Sequence, residues 1–336
     1  MSTTIAVLGA GAWGTALAVV LARAGHRVTL CARRAEHLAA MRTARENSAH
    51  LPRVKLPRAL VLSNRWAEAA SASEVIVMAV PSRFARAAMA PVGSAIGRSA
   101  TVVSVTKGIE EDSLKTMTAM LAEVAPAAGH FAAFSGPAFA TEVARGKPAA
   151  VVAAARDESV ARSVQELFAS RSLRVYRSTD VHGVELAGAA KNVIAIAAGI
   201  SDGLRLGSSA RAGLITRGVA ELTRLGLRAG ARAETLAGLA GLGDLVLTCT
   251  CDLSRNRTLG LRIGRGEDAP AAIASTTSGD AWVAEGASNA RSIERLAARM
   301  GVEMPIVTAV CRVLYDGARA NAMVEELLSR ELKAEF

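Results

Sequence analysis

Short apolar runs alternate with helix-length segments through the first half of the chain. Ile5–Leu8 is an apolar run that stops at glycine, Trp13–Ala24 has the pattern of a helix ending at Gly25, and Arg27–Cys31 forms a second strand. The alternation continues with helices near Ala35–Arg45, after Ser82 and from Ser113, a loop with Pro52 and Pro57, and strands near Leu60, Glu74–Val80, Thr101–Val105, Phe131 and Ala149. This alternation predicts a parallel, doubly wound sheet.

The pattern changes after about Asp180, where glycine-rich turns separate helices and Arg174–Tyr176 is the last plausible strand. The predicted segments are Gly183–Ile200, Ser209–Leu225, Ala233–Leu239, a loop through Arg257, Ala287–Arg299 and Val307–Gly317. The fold class is therefore α/β: an N-terminal Rossmann-like doubly wound sheet, residues 1–180, precedes an all-α C-terminal domain, residues 181–336. A length of 336 residues agrees with two domains.

Composition narrows the class of partner. A formal net charge of +10 favours anionic ligands, but aromatic residues make up only 3% of the chain and Lys/Arg runs of five are absent, so nucleic acid is not expected. The apolar stretch 5–22 is long enough to cross a membrane, yet its glycines fall where a strand should turn into a helix, so we expect no stable insertion. The four cysteines lack metal or disulfide spacing and indicate a reducing cytoplasm.

Gly9, Gly11 and Gly14 form a Gly-x-Gly-x-x-Gly motif between the first strand and the first helix. In this context Gly9 permits the tight turn, Gly11 lets the backbone approach a pyrophosphate, and Gly14 lets the helix pack closely on the strand. The helix N-terminus then presents free amides to the anion. The motif predicts dinucleotide binding; a tight turn without a ligand is the alternative.

The second strand ends in Arg33 and Arg34, without the Asp or Glu that would bind the ribose hydroxyls of NAD. Two guanidinium groups at this position suit a 2′-phosphate, so NADPH is favoured and NADH is the second choice. Surface arginines at the start of a helix are the alternative interpretation.

A single lysine, Lys191, interrupts the nearly all-apolar segment 185–200. Burial disfavours the charged amine and lowers its pKa toward the operating pH, as a general acid or base requires. A lysine that extends to water is the alternative.

Two further groups of polar residues each have two interpretations. Asp244 follows a glycine-rich turn, where an aspartate can simply cap the next helix. Ser254, Arg255 and Asn256 suit a phosphate monoester, but they also suit a polar turn.

Three further segments carry a resemblance to a known family: ELAGAAKN (185–192), SGPAFATEVA (135–144) and GLGDLVLTCTCDLSRN (241–256). Together with the glycine motif, they resemble the bacterial NAD(P)-dependent sn-glycerol-3-phosphate dehydrogenases, and the resemblance extends over essentially the whole chain. The resemblance implies interconversion of dihydroxyacetone phosphate and sn-glycerol 3-phosphate, with supply of a phospholipid precursor. It implies that Lys191 is the general acid/base on the C2 oxygen and that Asp244 orients it.

The resemblance also implies the binding residues. The implied cofactor contacts, together with those inferred above, are Gly9, Gly11, Ala12, Trp13, Gly14, Arg33, Arg34, Lys107, Ala140, Arg255, Val283 and Glu285. The implied substrate contacts are Lys107, Gly136, Ala138, Lys191, Asp244, Ser254, Arg255 and Asn256. Independently, Lys107 follows a predicted strand, and ligands gather at the ends of parallel strands.

Three positions depart from the family pattern: Ala138 replaces Ser or Thr, Ser209 replaces Asn, and Ala12 replaces Ser. The loss of a hydroxyl puts the side-chain contact at Ala138 in doubt. The five histidines lack acidic partners at useful spacing, so we assign no metal and no catalytic histidine. Two rival functions stay open, a β-hydroxyacid dehydrogenase of the same fold and a non-catalytic dinucleotide sensor, and the sequence leaves a homodimer open.

Overall fold

The computed structural model describes residues 2–275, 284–332 and 334. The strands are β1 (Thr4–Leu8), β2 (Arg27–Cys31), β3 (Glu46–Asn47), β4 (Leu51–Lys55), β5 (Val61–Ser63), β6 (Val75–Met78), β7 (Thr101–Ser104), β8 (His130–Ser135), β9 (Ala149–Ala155) and β10 (Leu173–Ser178). The helices up to the last strand are α1 (Ala12–Arg23), α2 (Ala35–Ala44), α3 (Trp66–Ser71), α4 (Ser82–Gly93), α5 (Met117–Val124), α6 (Ala140–Ala144) and α7 (Glu158–Phe168).

The rest of the described chain is helical. Its helices are α8 (Val181–Gly203), α9 (Gly207–Arg228), α10 (Ala233–Ala237), a π-helical turn (Leu239–Gly243), α11 (Asp244–Thr250), α12 (Arg255–Gly264), α13 (Ala269–Ser275), α14 (Glu285–Met300), α15 (Pro305–Tyr315) and α16 (Ala320–Leu328).

The main sheet has eight strands in the order β10-β9-β8-β7-β6-β1-β2-β5. Every neighbouring pair is parallel except β8 and β9. Helices α1, α2 and α7 cover one face, and α3, α4 and α5 cover the other. The prediction of a doubly wound sheet is confirmed. The sequence could indicate it because strands that are buried on both faces appear as continuous apolar runs. The apolar stretch 5–22 is β1 followed by α1, as predicted.

The second core surrounds α8, which packs against α9, α11, α12, α14 and α15. By length and composition α8 could cross a membrane, but its most apolar window is 100% buried inside the protein. A helix that is apolar on all sides is expected at the centre of such a core.

Four local predictions were wrong. The loop expected through Arg257 contains the π-helical turn, α11 and the start of α12, and the loop around Pro52 contains β3 paired antiparallel with β4. The helix expected from Ser113 begins at Met117. The pairing of β8 with β9 is antiparallel. In each case the residues carry local turn signals or an uninformative apolar run, and packing against distant segments fixes the actual structure.

Candidate active site

The glycine motif forms a close crossing between β1, α1 and β6. Gly9 has φ +117°, and a Cβ placed there would lie 2.5 Å from the Ala79 carbonyl oxygen. A Cβ on Gly14 would lie 2.1 Å from the Gly9 carbonyl oxygen, so both positions require glycine. Gly11 differs, because a Cβ there would meet no heavy atom within 4 Å. Its open backbone, at the start of α1, leaves room for the close approach of a pyrophosphate.

A cavity of about 890 Å³ begins at this loop, where the strand order reverses between β1 and β6. Such reversal points are where ligands bind in open α/β sheets. The Trp13 indole lines the cavity, and its buried Nε1 has no hydrogen-bond partner among the described residues. Glycine backbone, an available indole donor and an adjacent helix N-terminus fit a dinucleotide cofactor.

Positive charge surrounds the end of the cavity beyond β2. Arg33 and Arg34 are exposed there and line it together with His37 and His50. Burial, with the nearby charges of His37, Arg255 and Arg34, lowers the pKa of His50 to about 4. This end of the cavity is therefore suited to an anionic group.

Lys191 lies on α8 with its side chain only 7% exposed, so the alternative of a lysine extending to water is wrong. Its Nζ donates to Asp244 Oδ1 at 2.9 Å and to Thr248 Oγ1 at 2.6 Å. Burial lowers the pKa of Lys191 to about 8, with a further contribution from Lys107 and opposition from Asp244. An amine with this pKa can give and take a proton near neutral pH.

Asp244 connects two lysines. Its Oδ2 accepts from Lys107 Nζ at 2.5 Å, while its Oδ1 accepts from Lys191. Burial alone would raise the pKa of Asp244, but the two ammonium groups outweigh it and hold the pKa below its usual value. Gly243, not Asp244, occupies the N-cap position of α11, so helix capping does not explain this carboxylate. Lys107 also donates to the Gly136 carbonyl oxygen at 3.0 Å, which connects the 135–144 segment to the same cluster.

Ser254, Arg255 and Asn256 form the start of α12 and not a polar turn. Ser254 is the N-cap, and its Oγ accepts from the Arg257 amide at 3.2 Å. Asn256 is buried; its Nδ2 donates to Asn192 Oδ1 at 2.9 Å, and its Oδ1 accepts from the Gly286 amide at 2.9 Å. The first turn of α12 is thereby attached to both α8 and α14.

Most of the residues predicted from the sequence line this one cavity: Gly9, Gly11, Ala12, Trp13, Arg33, Arg34, Lys107, Ala138, Ala140, Lys191, Asp244, Ser254, Arg255, Asn256 and Glu285. Gly14 instead packs against Gly9, and Gly136 contributes its carbonyl to Lys107. Val283 lies outside the described residues. The cavity thus joins the predicted cofactor end to the predicted chemical end.

Sequence reasoning missed several polar residues of the cavity, among them Thr248, Asn192 and His50. Thr248 follows Asp244 by one helical turn, and its hydroxyl lies within hydrogen-bond distance of Lys191 Nζ. The i, i+4 spacing on a helix would have predicted that the two share a face. No comparable signal exists for His50, which approaches the cavity through the unpredicted β3–β4 hairpin.

The sheet topology, the glycine loop and a buried lysine in one cavity define a nucleotide-dependent oxidoreductase of the Rossmann type. Family models described as the NAD-dependent glycerol-3-phosphate dehydrogenase N-terminus and C-terminus match residues 4–161 and 180–325. The chain belongs to the NAD-dependent glycerol-3-phosphate dehydrogenase family.

Individual relatives are similar to this chain over nearly its full length. The chain is 51% identical to glycerol-3-phosphate dehydrogenase [NAD(P)+] of Geobacter sulfurreducens over 100% of this chain and 99% of the relative. It is 48% identical to the enzyme of the same name from Anaeromyxobacter dehalogenans over 98% and 99%. The crystal structure of glycerol-3-phosphate dehydrogenase from Coxiella burnetii superposes with a TM-score of 0.92 at 39% identity, covering 98% of this chain and 99% of that one.

Proposed function

We propose that this enzyme interconverts dihydroxyacetone phosphate and sn-glycerol 3-phosphate with NAD(P)H. The observation that carries the proposal is Lys191: a buried amine with a pKa of about 8, held by Asp244 and Thr248 in the cavity that also contains the glycine loop and the first turn of α12. When bound, the nicotinamide supplies or accepts the hydride at C2 of the substrate.

The protein's own part is to move the proton. In reduction the Lys191 ammonium donates a proton to the C2 oxygen as that oxygen gains negative charge, and in oxidation the neutral amine removes it. Asp244 holds the amine in place, and Lys107 adds a second positive charge beside it. This charge stabilises the developing alkoxide in a site shielded from water.

The substrate phosphate fits the first turn of α12. Ser254 Oγ accepts from the Arg257 amide, which leaves the hydroxyl hydrogen available to a phosphate oxygen. The Arg255 guanidinium and the free backbone amides at the start of the helix supply the remaining donors. Holding the phosphate here and C2 near Lys191 converts binding energy into orientation.

Arg33 and Arg34 would bind the 2′-phosphate and make NADPH the preferred cofactor. We expect the double variant Arg33→Gln/Arg34→Gln to raise the KM for NADPH at least about tenfold while changing the KM for NADH little, because each charge-assisted hydrogen bond contributes about 1.5–3 kcal/mol. Arg58→Gln, an exposed arginine outside the cavity lining, is the control. Equal effects on both cofactors would contradict the preference.

The pKa of Lys191 sets a pH dependence of opposite sign in the two directions. Reduction needs the ammonium, so kcat/KM for dihydroxyacetone phosphate should be level at neutral pH and fall as pH rises through about 8. Oxidation needs the neutral amine, so kcat/KM for sn-glycerol 3-phosphate should rise up to about 8 and then level. Measurements of kcat/KM from pH 6 to 10 in both directions test this. If kcat/KM rises with pH in both directions, or falls in both, the assignment is refuted.

The direct test follows NADPH and NADH oxidation separately, with dihydroxyacetone phosphate and with short keto acids. Turnover of the phosphate ester alone supports the proposal. Turnover of the keto acids alone would favour a β-hydroxyacid dehydrogenase, and binding of NADPH without any oxidation would favour a dinucleotide sensor.

The proposal divides the chain between two tasks. Residues 1–180 would bind the dinucleotide, and residues 181–336 would bind the substrate and provide the acid/base. In the cell the enzyme would work in the cytoplasm and supply glycerol phosphate for phospholipid synthesis.

A further inference from the structure

Two arginines, Arg255 and Arg257, lie in the first turn of α12, which contains no acidic residue. Positive charge is unfavourable there, because the N-terminus of a helix carries the positive end of its dipole. Arg255 lines the cavity, so an anionic substrate accounts for it. Arg257 is not among the described residues that line the cavity, and it needs another explanation.

Arg257 is held by two carboxylates behind the cavity. Its Nε and one terminal nitrogen lie 2.8 Å and 2.7 Å from Asp202 Oδ2, and its other terminal nitrogen lies 2.6 Å from Asp252 Oδ1. The Arg257 and Asp202 side chains are only 10% and 12% exposed, whereas the Asp252 side chain is 96% exposed. Solvent screens the contact with Asp252, so Asp202 is the stronger partner.

Asp202 also lies at an unfavourable place in its own helix. It is next to the last residue of α8, and the C-terminus of a helix disfavours negative charge. Each helix therefore carries a charge of the wrong sign at its end, and the ion pair compensates both. Asp202 Oδ1 accepts in addition from Arg211 at 2.9 Å, which fixes the orientation of the carboxylate.

The two helices meet through glycines. A Cβ on Gly199 of α8 would lie 2.0 Å from the Arg257 carbonyl oxygen, and a Cβ on Gly260 of α12 would lie 2.0 Å from the Ile196 carbonyl oxygen. At these glycines the backbones touch without interlocking side chains, although Leu259 and Ile263 of α12 lie in the core around α8. Directional bonds add to the alignment of the two helices, and the Asp202–Arg257 pair is one of them, with the Asn192–Asn256 hydrogen bond as another.

We propose that Asp202 and Arg257 are positioning residues that hold the phosphate-binding turn of α12 at a fixed distance from Lys191. The inference rests on the proposed function. A shift of about 1 Å in this turn would move C2 of a bound phosphate ester away from the lysine, and misplacement on this scale can cost about 100-fold in rate.

The test compares a substrate that has the phosphate with one that lacks it. Asp202→Asn and Arg257→Lys are made in the full chain, and kcat and KM are measured with dihydroxyacetone phosphate and with dihydroxyacetone. We expect kcat/KM for dihydroxyacetone phosphate to fall by about 10- to 100-fold, and inorganic phosphate to compete about tenfold more weakly. The kcat/KM for dihydroxyacetone and the Kd for NADPH should not change.

Two further variants complete the design. Arg262→Gln breaks the Arg262–Glu267 ion pair at the opposite end of α12 and should leave all these constants unchanged. Asp202→Glu keeps the charge and should recover most of the binding lost in Asp202→Asn.

Equal losses with both substrates would show that the pair only maintains the fold, and an unchanged kcat/KM for the phosphate ester would show that it has no positioning role; either result overturns the inference. Absence of dihydroxyacetone phosphate turnover in the wild-type enzyme would overturn the proposed function as well, so the two failures are distinguishable.

Discussion

Lys191→Ala should lower kcat in both directions by about 10²–10⁴-fold and leave the Kd for NADPH unchanged. The range is the usual contribution of a positioned general acid or base. The Kd should hold because the hydrogen bonds of Lys191 go to Asp244 and Thr248, whereas the glycine loop that would bind the dinucleotide lies between β1 and α1. Stopped-flow measurement of NADPH oxidation and fluorescence titration of NADPH provide the two quantities.

Rescue by small amines separates chemistry from structure in this variant. Truncation to alanine leaves space beside Asp244 and Thr248, the two partners of the missing amine. Primary alkylamines in the assay should restore part of kcat, with an efficiency that depends on amine pKa. Lys147→Ala, at an exposed lysine that pairs with Glu142 at the surface, is the matched control. Turnover at the wild-type rate in Lys191→Ala, or loss of NADPH binding in this variant, would refute the assigned role.

The cofactor end could be predicted from sequence because its requirements are local. The left-handed backbone of Gly9 and the close contacts of Gly9 and Gly14 are properties of one strand-turn-helix unit, and they dictate glycine directly. Arg33 and Arg34 follow β2 by sequence alone, so their place at the end of the strand was also predictable.

At the end of the cavity that contains Lys191, the important residues could be predicted from the sequence, but the contacts among them could not. Lys191 is conspicuous because a charged residue rarely lies in an all-apolar helix. Its contact with Asp244 and the contact of Asp244 with Lys107 join segments 53 and 137 residues apart, and no local pattern encodes such contacts. The resemblance to a known family supplied the relation of Asp244 to Lys191, and the contact of Asp244 with Lys107 was not predicted.

The wrong prediction of a loop through Arg257 has a related cause. Glycines in this segment usually indicate turns, but here they permit close packing. A Cβ on Gly241 would lie 1.9 Å from the Leu236 carbonyl oxygen, and Gly260 has the corresponding relation to α8. The antiparallel pairing of β8 with β9 was equally hidden, because strands buried on both faces have the same apolar pattern in either direction.

Asp244→Asn should reduce the rate of reduction at neutral pH by about 100-fold and displace the high-pH limb of the profile to lower pH. In the wild type, burial and the charge of Lys107 lower the pKa of Lys191, and Asp244 opposes them. The neutral amide removes that opposition, so the pKa of Lys191 falls below about 8 and less of the amine is protonated near pH 7. The amide also cannot accept equally from two ammonium groups, so Lys191 loses its alignment.

The direction in which the pH profile shifts distinguishes a lowered pKa of Lys191 from general disruption of the active site. Oxidation needs the neutral amine, so its limb should move in the same direction, and oxidation should retain more activity than reduction at pH 6 to 7. Asp112→Asn, at an exposed aspartate of the loop before α5, is the control and should have the wild-type profile. If Asp244→Asn lowers both rates equally and leaves both limbs in place, Asp244 acts on the substrate and does not set the pKa of Lys191.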